Sequence, residues 1–199
     1  MVENTEKFTS SQVKETLFRC IKEFYKEEQS LLKDDLCERA LVFRLGCRMY
    51  SKFHGCSVYS EYNRAHAEDN VSYKDIPGKI HTYPDLIVVS DSEKGSNANK
   101  LMIEVKKEKN NDLSSDIEKL KWFSDQSYKY RYLCACHLFL SVDYFLVCSY
   151  ENGNVKDIFQ FTLRDNQWIY NHVIPASDFN YSSLKDLHIA INSARNANE

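Results

Sequence analysis

Apolar residues recur every three or four positions through the first quarter of the chain, which predicts two helices. The first is expected over residues 10 to 30, where Thr9 and Gln12 have the spacing of a capping box. The second is expected to begin at Asp35, with Glu38 three residues later in the capping-box position, and to end near Gly55. The apolar stripe of the first helix consists of Val13, Leu17, Cys20, Ile21, Phe24 and Tyr25.

The spacing of apolar residues then changes to every second position, which is typical of strands. The pattern predicts three strands, the last two forming an antiparallel hairpin, at residues 57–62, 84–90 and 101–106. A helix is expected to begin at Ser115, with Glu118 completing a capping box. Residues 132–140 are apolar on both alternating faces, so they predict a central strand covered by helices on each side.

The last third of the chain predicts a β-hairpin and a helix. Two apolar segments within 143–163 are separated by Asn152-Gly153, a strong hairpin signal, and Ser183 is placed to start a final helix. The predicted order is therefore ααβββαβ followed by a hairpin and a helix, which is an α/β protein. A single domain over residues 1–199 is expected, with a core at about 34–140 and additions at about 143–194.

The amino-acid composition excludes several classes of protein. The 26 basic and 29 acidic residues give a net charge of −3, which argues against coating nucleic acid by bulk charge but allows a local basic cleft. The seven cysteines are odd in number and form no CxxC pair, so we expect reduced core thiols and a cytoplasmic location. The sequence contains no apolar run long enough to span a bilayer, so no membrane association is expected.

Candidate chemistry lies on the predicted hairpin. Because alternate residues of a strand share a face, Glu104 and Lys106 lie side by side. Charged side chains inside an apolar strand are costly unless they serve each other or a ligand. Asp85 begins the neighbouring strand directly after Pro84, so two carboxylates and a lysine are expected to converge at one end of the hairpin.

This trio suits divalent-metal chemistry. Asp85 and Glu104 provide the carboxylate oxygens that Mg²⁺ or Mn²⁺ prefers. A metal ion there would lower the pKa of a bound water and stabilise charge on a phosphate, while Lys106 would orient that water or stabilise the transition state. The sequence therefore predicts phosphodiester hydrolysis.

Pro84-Asp85 and Glu104-Val105-Lys106 together resemble the motif of the PD-(D/E)XK nuclease superfamily. The resemblance implies a restriction-endonuclease-like core, which has three α/β/α layers and a mixed sheet. It also implies that Asp85, Glu104 and the Val105 carbonyl bind the metal and that Lys106 is catalytic. The implied function is cleavage of nucleic acid, expected to be DNA, in defence, repair or mobile-element processing.

The chain is also similar to an uncharacterised bacterial branch of that superfamily. The similarity rests on Glu61-Tyr62-Asn63-Arg64, Ile103-Glu104-Val105-Lys106-Lys107 and Asp116-Ile117-Glu118-Lys119-Leu120. It implies a role for Glu61 in the cleft, whereas a surface ion pair with Arg64 is the structural alternative. Glu38 is either the upstream acid that many members use near the metal or simply part of a helix cap.

Three further hypotheses stay open from the sequence. The nuclease fold could serve as a non-catalytic nucleic-acid-binding or assembly module. A cysteine nucleophile would need Cys134, Cys136 or Cys148 with His137 or His172, although buried thiols are expected to have raised pKa values. A homodimer could form if the apolar edge of the hairpin at 143–163 paired with its copy.

Overall fold

A computed structural model describes residues 8–62, 76–77, 82–108, 112–177 and 179–196. Within these ranges the chain forms four α-helices, seven strands and one short 3₁₀ helix at Gly95–Ala98. The helices are α1 (Ser10–Lys33), α2 (Glu38–Tyr50), α3 (Ser114–Ser124) and α4 (Leu184–Asn196). The strands are β1 (Cys56–Ser60), β2 (Leu86–Ser90), β3 (Asn99–Lys107), β4 (Cys134–Leu140), β5 (Tyr144–Glu151), β6 (Asn154–Arg164) and β7 (Gln167–Val173).

The seven strands form one mixed sheet in which spatial order follows chain order from β1 to β7. Only the pair β3–β4 is parallel, because α3 crosses between these strands, and every other neighbouring pair is antiparallel. β4 is the middle strand and all seven of its residues are buried, which confirms the predicted central strand. The α/β class and the mixed sheet are thus as predicted.

The two faces of the sheet bury separate apolar cores. One face packs on α1 and α2, and the other packs on α3 and α4. Alternation along β3 divides its residues between the two cores, since Ile103 and Val105 face α1 and α2, whereas Met102 faces α3. Glu104 and Lys106 alternate with these residues and leave β3 on the face of Met102, and at the end of the strand the Lys106 ammonium also reaches Glu38 on α2.

The first residues of the helices agree only partly with those predicted from the sequence. The capping box of Thr9 and Gln12 is confirmed. The predicted box at Asp35 and Glu38 is wrong, because α2 begins at Glu38, its N-cap is Cys37, and the Asp35 carboxylate pairs with Lys107.

A second predicted capping box, that of Ser115 and Glu118, is also wrong. α3 begins at Ser114, whose backbone N–H is bound at 3.3 Å by the Asp112 carboxylate instead. At the final helix the prediction is confirmed, because Ser183 caps α4 and its hydroxyl accepts a hydrogen bond from the Asp186 N–H.

β7 is an addition that the sequence analysis missed. Asp165 and Asn166 both have positive φ, which makes the tight two-residue turn that joins β6 to β7. β7 pairs along the edge of β6 from Ile158 to Arg164. β7 therefore covers the Ile158–Arg164 part of the edge at which the sequence predicted pairing with a second copy, and homodimerisation itself stays a prediction.

The sequence predicted reduced cysteines and no membrane-spanning segment. All seven cysteines are free, and five of them are buried. Among the described residues, no helix is both long enough and apolar enough to cross a membrane.

Candidate functional site

The start of β2 and the end of β3 bring the predicted acids together. Leu86 lies opposite Ile103 in the antiparallel register, so Asp85, one residue earlier, lies beside Glu104. The Val105 N–H donates a hydrogen bond of 2.7 Å to Oδ2 of Asp85. Because the N–H and C=O of one residue in an extended strand point to the same side, the Val105 carbonyl also lies on the Asp85 side of β3.

Glu104 is fully buried at the centre of this cluster. Its Oε2 contacts the Lys119 ammonium, while its Oε1 has no hydrogen-bond partner. Burial raises the pKa of Glu104 well above its usual range, and the nearby Asp85 and Asp116 carboxylates raise it further. Burial likewise raises the pKa of Asp85, although the Val105 N–H opposes this shift.

Lys106 connects two helices to the end of β3. Its Nζ lies 2.8 Å from Oδ2 of Asp116 on α3 and 3.2 Å from Oε1 of Glu38 on α2. Burial alone would lower the pKa of Lys106, but these two carboxylates raise it, so the side chain remains an ammonium group. The other Glu38 oxygen accepts a 3.3 Å hydrogen bond from the Lys107 N–H.

Lys119 is a second lysine in the cluster, and the sequence analysis did not place it there. Its Nζ contacts Glu104 and lies 3.1 Å from Oδ1 of Asp116 and 3.3 Å from the Tyr83 carbonyl oxygen. Only 12% of its side chain is exposed. Burial lowers the pKa of Lys119, but Glu104 and Asp116 more than offset this and raise it overall.

His137 lies opposite Glu104 in the parallel register of β3 and β4. Its Nδ1 is 2.7 Å from the Tyr181 hydroxyl, and its Nε2 lies 3.9 Å from Oδ2 of Asp116 with no hydrogen-bond partner. Burial lowers the pKa of His137 to about 3, so the ring is neutral at physiological pH. The side chain therefore adds a buried neutral nitrogen beside the acidic cluster.

Glu61 is the predicted site residue whose side chain does not join the cluster. Its Oε1 pairs with Nε of Arg39 at 3.0 Å, and both side chains are more than half exposed. A pair this exposed contributes little to stability. Its backbone N–H nevertheless donates a 3.3 Å hydrogen bond to the Asp85 carbonyl, which helps to fix the chain before β2. Asn63 and Arg64, the rest of that motif, lie outside the described residues.

The cluster carries negative charge and the kind of carboxylate oxygens that divalent cations bind. Four carboxylates (Glu38, Asp85, Glu104 and Asp116) face two ammonium groups (Lys106 and Lys119), so the formal charge is −2 when all six are ionised. The orphaned Oε1 of Glu104 is an available oxygen donor. Among the described residues, no group of three or more His, Cys, Asp or Glu side chains is arranged to hold a metal ion. A metal ion would therefore have the carboxylates of Asp85 and Glu104 and the Val105 carbonyl as its protein ligands. Water would complete its coordination shell, as is common for Mg²⁺.

Sequence analysis missed the contributions of Asp116, Lys119 and His137. Asp116 and Lys119 are three residues apart, which places them on one face of α3, and that spacing was visible in the sequence. Which face of α3 meets β3 depends on packing. From the sequence, His137 was not linked to the acidic residues. Burial raises the pKa of the neighbouring Cys148, so this thiol stays protonated and unreactive.

Comparisons with protein-family models, with curated proteins and with solved structures find no match for this chain.

Proposed function

We propose that the protein is a divalent-metal-dependent nuclease with a restriction-endonuclease-like core. The observation that carries this proposal is the convergence of Asp85, Glu104 and Lys106 at the junction of β2 and β3, with Asp85 bound to the Val105 N–H at 2.7 Å. The arrangement of α2, the β1–β2–β3 meander, α3 and β4 supports it, because the resembling superfamily has the same order of elements. DNA is the proposed substrate, and the free cysteines agree with a cytoplasmic location.

In this proposal the carboxylates of Asp85 and Glu104 and the carbonyl of Val105 hold Mg²⁺ or Mn²⁺. When bound, the metal supplies Lewis acidity and an acidified water. The chain's own residues position the reactants: Lys106 stays protonated and donates hydrogen bonds to the water or the scissile phosphate. Glu38 and Asp116 hold the Lys106 ammonium in place from α2 and α3.

A non-catalytic module with the same core is the second candidate. The observation that favours it is that both lysines already have carboxylate partners, so the cluster forms ion pairs without any ligand. In that case the cluster would only join α2 and α3 to the sheet. The two proposals differ in whether a metal binds and whether phosphodiester bonds are broken.

A cleavage panel separates the candidates. Plasmid DNA, single-stranded DNA and RNA are incubated with the protein in Mg²⁺, Mn²⁺ or EDTA, using wild type and Lys106→Ala. The nuclease proposal expects cleavage of at least one substrate by the wild type with metal, and loss of that cleavage in EDTA and in the variant. Cleavage that survives both changes would overturn it, and absence of cleavage in every condition would favour the module.

A further inference from the structure

The Lys119 ammonium lies where the acidic cluster would receive a cation. It contacts Oε2 of Glu104, a proposed metal ligand, and lies 3.1 Å from Asp116. Its charge also acts on the half-buried Asp85, whose carboxylate it favours in the ionised form. One buried lysine thus neutralises part of the charge of three carboxylates at the junction of β2, β3 and α3.

A metal ion and this ammonium group would repel each other at Glu104. Both are cations that bind the same carboxylate, which offers a free Oε1 beside the Oε2 that Lys119 contacts, and at such short range inside a protein their mutual repulsion is only weakly screened. A lysine that leaves Glu104 still has a partner, because Asp116 lies three residues earlier on the same helix and already contacts it. The movement needed is a change of side-chain rotamer on α3, with no change in the fold.

We propose that Lys119 is a tethered cation that competes with the divalent metal for Glu104 and thereby sets the metal affinity of the site. This inference rests on the proposed function, because it takes Asp85 and Glu104 as the metal ligands. Lys119 is then a positioning residue with two states, one that contacts both Glu104 and Asp116 in the metal-free protein and one that contacts Asp116 alone when metal is bound.

A purely structural ion pair makes a different prediction. If Lys119 only neutralises Glu104, its removal leaves a buried carboxylate without a counter-charge and lowers the melting temperature, and the affinity for metal stays the same. If Lys119 competes with metal, its removal also frees the carboxylate for the ion. The affinity for metal therefore separates the two roles, whereas stability does not.

The test is calorimetric titration with Mn²⁺ of the wild type, Lys119→Met and Lys119→Gln. Lys121→Met is the matched control, because Lys121 is exposed on the same helix and its Nζ donates a 3.1 Å hydrogen bond to the Asn180 side chain, away from the acidic cluster. Lys119→Gln keeps a hydrogen-bond donor of similar length without the charge, so it covers the case in which Lys119→Met does not fold. Melting curves with and without Mn²⁺ are recorded for each protein.

Both Lys119 variants are expected to bind Mn²⁺ at least tenfold more tightly than the wild type. Their melting temperatures should also rise more than that of the wild type when Mn²⁺ is added. The Lys121 variant is expected to match the wild type. Equal or weaker binding in the Lys119 variants, with measurable binding by the wild type, would overturn the inference and leave the proposed function standing. No Mn²⁺ binding by any of the proteins would overturn both.

Discussion

The Val105 N–H donates a 2.7 Å hydrogen bond to the Asp85 carboxylate, and this contact ties the start of β2 to the end of β3. Asp85 is not itself part of a strand, so without the contact its side chain would be free to turn towards solvent. With the contact, its carboxylate lies beside buried Glu104. Two acids 19 residues apart in sequence are thereby held in one site.

Replacing Asp85 by Asn is expected to raise the melting temperature of the metal-free protein by a few degrees. Burial and the nearby Asp116 carboxylate raise the pKa of Asp85, so its ionised form at neutral pH disfavours folding, and an amide removes that penalty. About 1 kcal/mol corresponds to roughly 2–4 °C in a domain of about this size. Thermal denaturation at pH 7.5 measures the change.

The same variant is expected to lose the stabilisation by Mn²⁺ that the wild type shows. At one hundred times its Kd a ligand contributes about 2.7 kcal/mol, which is several degrees in melting temperature. Asp143→Asn, at an exposed position, is the control and should behave as wild type. A lower metal-free melting temperature together with an intact Mn²⁺ response in Asp85→Asn would refute the assignment of Asp85.

Lys106→Met is expected to lower the rate of cleavage by at least about a hundredfold, the usual lower range for a positioned proton-transfer or charge-stabilising group. The Mn²⁺ response in melting should remain, because Lys106 does not touch the proposed metal ligands. The adjacent Lys107→Met is a matched control, since Lys107 pairs with Asp35 in the connection between α1 and α2. Equal losses in the two variants would show that the effect of Lys106 is structural.

Contacts set by neighbouring residues in the sequence could be predicted, whereas contacts between distant elements could not. Alternation along β3 is a local property, so the shared face of Glu104 and Lys106 was predictable. The contact of Lys119 with Glu104 depends on how α3 rotates and docks on the sheet, which no local pattern specifies. The position of His137 depends on the parallel register of β3 and β4, which is set by packing on both faces.

The fold shows the same division between local and long-range signals. The Asn152-Gly153 turn was predicted because this dipeptide is typical of hairpins. The equivalent turn at Asp165-Asn166 lacks glycine, although Asp and Asn tolerate positive φ, so the strand after it was overlooked. The capping box at Asp35 was wrong because a tertiary partner, Lys107, engages that carboxylate.

His137 makes stability depend on pH. In the unfolded chain its ring takes up a proton near pH 6.5, whereas burial lowers its pKa to about 3 in the folded protein. The unfolded state therefore binds more protons between these values, so the free energy of unfolding falls as pH decreases through this window. Between pH 7.5 and pH 5 the loss due to His137 should be about 2 kcal/mol, at 1.36 kcal/mol per pH unit below 6.5.

Urea denaturation at the two pH values, compared between wild type and His137→Gln, measures this contribution. The variant should lose less stability than the wild type over the same interval, because glutamine does not titrate. His54→Gln is the control at an exposed position and should follow the wild type. A variant with the same pH dependence as the wild type would show that His137 is already charged when folded.

Glu28 stabilises the packing of α1 on α2, and its loss is expected to destabilise the protein. Its carboxylate lies 2.5 Å from Nε of Arg44 and 2.6 Å from Nη2 of Arg48, and only 8% of the side chain is exposed. Glu28→Gln weakens these charge-assisted bonds, so the free energy of unfolding should fall by about 1–3 kcal/mol.

The control for Glu28 is a more exposed ion pair between α1 and the turn that follows α2. Glu23 pairs with Lys52 at 2.9 Å with about a third of each side chain exposed, so Glu23→Gln should cost less than about 1 kcal/mol. Equal effects of the two substitutions in urea denaturation would mean that burial does not strengthen the Glu28 interactions.

The metal site is tested most directly by anomalous diffraction from crystals of the wild-type protein grown with Mn²⁺. We expect one anomalous peak in contact with the carboxylates of Asp85 and Glu104 and the carbonyl of Val105, with the Lys119 ammonium moved away from Glu104. A map with no peak in this cluster, and with Lys119 still on Glu104 at saturating Mn²⁺, would contradict the assignment of these residues as a metal site.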